Sequence, residues 1–191
     1  MEKILFINAC VRPRSRTLEL AKWVLDRLSG EVEEVNLERE NIQPLNWERL
    51  DRRLGLLARE EFDNPMLRYA RQFQQADTIV IAAPYYDLSF PSSLKVYLEA
   101  VATVGLTFYY DEEENPQTLC RARRMIYVST SGGPFLPDYG FEYVKTLFET
   151  FYHIPESVCF YAENLDLMNS DLDAIMEAAK QRISTAMMDK Q

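Results

Sequence analysis

Apolar residues in this chain come in two kinds of run, and the runs alternate. Lys3 to Ala9 (KILFINA) is short and almost continuously apolar, the pattern of a strand covered on both faces. Leu18 to Leu28 (LELAKWVLDRL) instead places Leu18, Ala21, Trp23, Val24, Leu25 and Leu28 at roughly helical spacing. Glu31 to Leu37 (EVEEVNL) reads as a weaker, edge-like strand. Asp77 to Ala83 and Arg124 to Thr130 are further buried strands, and Glu156 to Ala162 completes a set of five. Helices are expected over Pro91 to Val104, Pro137 to Tyr152 and Ser170 to Met188. Between the second and third strands, Ile42 to Ala76 forms a long charged insertion with two helical patches, Trp47 to Leu57 and Pro65 to Phe73, expected as a cover or a subunit contact. Strands that alternate with helices predict parallel pairing through crossovers, hence a three-layer, doubly wound α/β domain. In that architecture ligands sit beyond the carboxyl ends of the strands, where the strand order reverses.

Length and composition bound this picture. A chain of 191 residues with 47% hydrophobic content can build one domain with a sizeable core. With 21 basic and 30 acidic residues the net charge is -9, so neither nucleic acid nor an anionic membrane is an expected partner. An anionic ligand therefore needs a local positive pocket. Cys10, Cys120 and Cys159 are odd in number and have no metal-like spacing, which suits free thiols in a reducing cytoplasm. The apolar run Ile4 to Ile7 is too short for an export signal or a membrane span.

Three loops leave the carboxyl ends of the expected strands with unusual residues. The first, NACVRPRSRT, opens onto a helix: Ser15 and Thr17 can cap it or donate hydroxyls to an anion, and Arg12, Arg14 and Arg16 add charge. The same residues would also serve a plain helix start with solvated arginines. No Walker lysine motif and no GxGxxG occurs, so a phosphomonoester fits the loop better than a triphosphate or a dinucleotide. The second loop follows Pro84 with Tyr85, Tyr86 and Leu88, flat apolar surface and free backbone N–H groups ahead of Pro91, a favoured first-turn residue. A planar ring could lie there, and packing of the loop on the core is the alternative. In the third loop, STSGGP, paired glycines permit close approach to a ligand or simply a tight turn.

Phosphate loop, aromatic loop and glycine loop together have the layout of a flavin mononucleotide (FMN) site. The spacing of Cys10, Arg12, Ser15 and Thr17 resembles the S-x-R-x-x-S-x-T pattern of the flavodoxin-like NAD(P)H-dependent FMN reductases, quinone reductases and azoreductases. Pro84 to Lys95 (PYYDLSFPSSLK) is similar to that family's P-x-Y-N-x-x-x-P-x-x-L-K signature, and Ala102 to Phe108 (ATVGLTF) and Ser129 to Gly133 (STSGG) resemble its azoreductase branch. The resemblance implies a flavodoxin-like sheet of order 2-1-3-4-5, with Arg12, Ser15, Arg16 and Thr17 around the FMN phosphate and Cys10 among the cofactor-binding residues of the same loop. Pro84, Tyr85, Tyr86, Asp87 and Leu88 would line the ring, and Ser129, Thr130, Ser131, Gly132 and Gly133 would approach its pyrimidine end. Tyr85, Tyr86, Phe108 and Phe135 would wall the substrate slot, with core packing as the alternative for Phe108. Cys10 stands where the family has serine, and Asp87 where it has asparagine, exchanging a donor for an acceptor.

The activity so implied is two-electron transfer from NAD(P)H through FMN to a quinone-, azo- or flavin-type small molecule, by a cytoplasmic homodimer. A receiver domain would need an aspartate where Pro84 stands, and a flavodoxin electron carrier would need a phosphate loop rich in threonine and glycine. The remaining alternative is a non-catalytic binding or assembly module of the same fold that has lost its flavin. His153, the only histidine, is assigned no role.

Overall fold

Side chains alternate across each strand, and here both faces of the sheet are covered, which is why the inner strands read as continuous apolar runs. The structure, a computed structural model, describes residues 1–136 and 139–188. In chain order the elements are β1 (Lys3–Asn8), α1 (Arg16–Leu25), β2 (Glu31–Asn36), α2 (Trp47–Ala58), a 3-10 turn (Pro65–Leu67) and α3 (Arg68–Gln75). They continue with β3 (Thr78–Ala82), α4 (Ser92–Val101), β4 (Phe108–Tyr110), β5 (Pro116–Thr118), β6 (Arg124–Thr130), α5 (Phe141–Tyr152), β7 (Glu156–Ala162) and α6 (Leu172–Met188). Five parallel strands lie in the order β2-β1-β3-β6-β7, the expected 2-1-3-4-5 when the sheet strands alone are counted. Leu5, Ile7, Ile79, Ile81, Met125 and Tyr127 face a core built with α3, α4 and α5. Ile4, Phe6, Val80, Ala82, Ile126 and Val128 face the opposite way, into a core with α1 and α6. Among the described residues no helix is long and apolar enough to cross a membrane.

The order reverses between β1 and β3, so the loops after these two strands flank the switch point. Edge strand β2 keeps Glu31, Glu33 and Glu34 exposed and buries Val35, a charged edge that discourages pairing with another chain. Helix α1 starts at Arg16, two residues before the expected apolar start, because Ser15 caps it: its hydroxyl accepts from the Leu18 N–H. Pro91 is the N-cap of α4, one position ahead of the first-turn role expected for it.

Two expectations need correcting. The stretch Ile42 to Ala76 holds two helices as expected, but its second half is the crossover from β2 to β3 and forms core, with Phe73 fully buried against Phe148 and Tyr152. Only α2 behaves as a cover, burying Leu56 in a small satellite cluster while Trp47 is 75% exposed. The antiparallel pair β4–β5 was not foreseen; its Asp111 carboxylate accepts from the Glu113 and Asn115 N–H groups and so shapes the turn. Helix α5 begins at Phe141, and Pro137, its expected start, lies outside the described residues. It ends at His153, which adopts the left-handed conformation (φ 49°) ahead of Pro155, so this histidine serves as a helix stop.

Candidate functional site

A cavity of about 290 Å³ opens at the carboxyl edge of the sheet. Its lining comes from four loops: Arg12, Arg14, Ser15, Arg16 and Thr17 after β1, Pro84 to Tyr86 after β3, Thr130 to Gly132 after β6, and Leu165 and Asp166 after β7. The first loop is set by Asn8, buried at the end of β1, whose Oδ1 accepts from the Cys10 N–H at 3.0 Å and whose Nδ2 donates to Glu34 Oε1 at 2.8 Å. Cys10 therefore turns inward. Its thiol packs in the core 3.7 Å from the Ala82 carbonyl, does not line the cavity, and is pushed up to about 11 by burial. The hydroxyl lost where the family has serine is thus no gap in the cavity wall.

Within this loop the donors divide into free and engaged. The Ser15 hydroxyl satisfies Leu18 and its carbonyl satisfies Glu19, which leaves the first N–H groups of α1 directed out of the helix end beside a positive dipole. Arg12 and Arg14 are exposed and make no ion pair among the described residues. Thr17, expected to offer its hydroxyl to an anion, is 1% exposed and shares a 2.6 Å hydrogen bond with Thr130 Oγ1. Arg16 donates from Nη1 to Asp166 Oδ1 at 2.7 Å and to the Leu165 carbonyl at 3.4 Å.

Pro84 is buried at the end of β3, and the next turn is a small hairpin of its own. Tyr86 and Ser89 exchange both backbone hydrogen bonds (3.0 and 2.8 Å) around Asp87 and Leu88, whose φ angles are 50° and 69°. Two consecutive positive φ values make a type I′ turn, normally a place for asparagine and glycine. Leucine in the left-handed region costs roughly 1–2 kcal/mol, a strain held by the paired flanks. Both residues are exposed and stand at the rim rather than in the cavity wall. Their N–H groups have no acceptor among the described residues.

Tyr85 is the hinge of the site. Its N–H donates to the Thr130 carbonyl at 3.0 Å, and it lines both the first cavity and a second of about 460 Å³. Phe135 packs at a tilt on Tyr85 (ring centroids 4.6 Å apart) and edge-on against Tyr161 (5.2 Å), and its N–H is held by Glu163 at 2.9 Å. The Tyr85 hydroxyl is buried without a hydrogen-bond partner among the described residues. Ser129 lines this second cavity, and Tyr127, Cys159 and Glu163 join it there. Phe108, expected as a wall of the slot, lines neither cavity: it is 5% exposed and packs on Phe151 and Tyr152 inside the core.

The glycine loop is tied to the loop after β7. Asn164 donates to the Gly133 carbonyl, Leu165 to Ser131 and Asp166 to Gly132, while the Ser131 hydroxyl donates to Gly133 at 2.5 Å. A Cβ on Gly132 would meet Asp166 Oδ2 at 2.6 Å, so a larger residue there must push the Asp166 side chain aside; the corresponding position at Gly133 faces open space.

A family model described as flavodoxin-like fold matches residues 2–187. The chain belongs to this flavodoxin-like family. It is 32% identical over 189 residues to FMN-dependent NADH:quinone oxidoreductase 2 of Clostridium acetobutylicum, covering 92% of this chain and 93% of that one. The FMN-dependent NADH:quinone oxidoreductase of Clostridium beijerinckii is 31% identical, covering 94% of each chain. An FMN-dependent NADH-azoreductase from Bacillus anthracis, solved in complex with FMN, superposes with a TM-score of 0.82 over 99% of both chains at 21% identity, a likeness of fold.

Leu165 and Asp166 line the first cavity and Tyr161 and Glu163 the second, and sequence reasoning passed over all four. In a flavodoxin-like sheet every parallel strand delivers its following loop to the same edge, so the loop after the last strand had the same claim as the other three. That topological argument was the available signal.

Proposed function

We propose that this protein is an FMN-dependent NADH oxidoreductase that passes two electrons to a small quinone- or azo-type acceptor. The observation that carries the reading is the adjacency, at the switch point, of a hydroxyl- and arginine-lined cavity and an aromatic turn with unpaired N–H groups. The alternative of a flavin-less module is disfavoured by relatives named as oxidoreductases that match across more than nine-tenths of both chains.

The residues present fit FMN. Ser15, the first N–H groups of α1, Arg12 and Arg14 form an anion seat in a protein of net charge -9. Pro84 to Leu88 offer a flat surface and backbone donors, and the open space at Gly133 lets the third loop approach a ring edge. Bound FMN supplies the two-electron redox chemistry between a reduced nicotinamide and the acceptor. The chain's own part is to hold the phosphate, orient the ring with the Tyr85–Leu88 turn, and keep one face accessible. Tyr85, Tyr86 and Phe135 are the candidates for the acceptor's wall, and Phe108 supports them only through the core. A homodimer belongs to this reading: Leu88, Leu136, Tyr139 and Tyr143 are exposed, and Ser89 Oγ donates to the Tyr139 carbonyl while Phe90 meets Tyr143, so the loop after β3 and the start of α5 adjoin.

The test is NADH oxidation followed at its near-ultraviolet absorbance with purified protein, FMN and a soluble benzoquinone. Oxidation that requires protein, FMN and quinone together is expected. A rate no higher than that of free FMN would overturn the proposal.

A further inference from the structure

One residue of the phosphate-side cavity has the wrong sign for an anion seat. Asp166 lines it together with Arg12, Arg14, Ser15 and Arg16. Its position is built in, because its N–H donates to the Gly132 carbonyl at 2.9 Å, Leu165 N donates to Ser131 O at 3.2 Å, and its side chain occupies the space a Cβ on Gly132 would need. From there the carboxylate reaches Arg16 Nη1 at 2.7 Å. The side chains are 36% and 60% exposed, so the pair is wet and weak, easily exchanged for another anion.

We infer that Asp166 is an internal anion which holds Arg16 until a phosphorylated ligand displaces it, so that this pair sets the affinity of the cavity for phosphomonoesters. The inference deepens the reading of the cavity as an FMN phosphate seat and rests on it. A phosphate that enters must draw Arg16 off Asp166, and it then shares the cavity with an uncompensated carboxylate. Both effects oppose binding, and both vanish when the carboxylate is made neutral. Arg16 thus meets a phosphate only by giving up its ion pair, whereas Arg12 and Arg14 face it without competition from an ion pair among the described residues.

The experiment titrates flavin-free wild-type protein and Asp166→Asn with FMN and with riboflavin, following quenching of flavin fluorescence. Asparagine keeps the size of the side chain and the backbone bond to Gly132. FMN is expected to bind Asp166→Asn roughly fivefold more tightly, the factor equivalent to the ~1 kcal/mol ceiling of an exposed pair. Riboflavin should change less than about twofold, since it lacks the phosphate that competes. In an Arg16→Gln background the gain from Asp166→Asn should fall towards nothing, and Asp166→Ala should rank the two flavins as Asp166→Asn does. Weaker FMN binding in Asp166→Asn would overturn the inference, showing that the carboxylate positions Arg16 rather than competing for it. Equal gains for both flavins, or a gain that survives in Arg16→Gln, would overturn it as well. Should wild type bind neither flavin, the FMN reading fails on its own, and thermal unfolding with added inorganic phosphate decides the inference. Larger phosphate stabilisation of Asp166→Asn than of wild type supports it, and equal stabilisation refutes it.

Discussion

Arg12 and Arg16 leave the same loop, yet of the two only Arg16 pairs with a carboxylate among the described residues. That difference makes Arg12 the cleaner probe of the phosphate seat. Arg12→Ala should lose one charge-assisted hydrogen bond, about 1.5–3 kcal/mol, or roughly tenfold to a hundredfold in FMN affinity. Riboflavin affinity should stay where it was, and parallel titrations of the two flavins check this; equal losses would refute the assignment. Cys10 gives the contrasting lesson. Its spacing in the sequence matches a phosphate-loop pattern, but Asn8 pulls the loop back onto the sheet and the thiol ends in the core. Spacing reports where the backbone passes, and burial decides which side chains reach the ligand.

At the scale of elements, α3 shows how a charged stretch can hide core. Arg68, Arg71, Gln72, Gln74 and Gln75 make it look like surface, while Ala70 and Phe73 are fully buried. Phe73→Ala should cost about 3–5 kcal/mol, a large part of a typical domain's stability, and denaturant unfolding measures it. A loss below about 1 kcal/mol would mean that this helix is a cover after all. The inner strands β1, β3 and β6 were legible because covering both faces leaves an apolar run that few other structures produce, while edge strand β2 showed only as a weak one; Glu156–Ala162 is where it was expected to the residue. Strands β4 and β5 were not legible, since three-residue segments such as Pro116–Thr118 have too few side chains to show a period. Phe108 failed for a related reason: an aromatic beside a recognised motif has the same sequence signature whether it walls a slot or fills a core. The partnership of Arg16 with Asp166 spans 150 residues and is visible only once the sheet has brought the two loops together.

For the whole molecule, an acidic chain with a positive notch at the carboxyl edge of its sheet selects small anions while repelling polyanions. Leu88, Leu136, Tyr139 and Tyr143 are exposed apolar side chains, and α2 adds Trp47 and Leu54, surface that the proposed dimer contact would cover. Light scattering at micromolar concentration should report a dimer, and Leu88→Asp should shift it towards monomer; a wild-type monomer would contradict the proposed assembly. The account stands or falls on the flavin itself. Equilibrium titration of the flavin-free protein with FMN tests this most directly: quenching of flavin fluorescence that saturates at one FMN per chain, with riboflavin bound more weakly, is the expected result, and unchanged fluorescence and absorbance at excess FMN would contradict it.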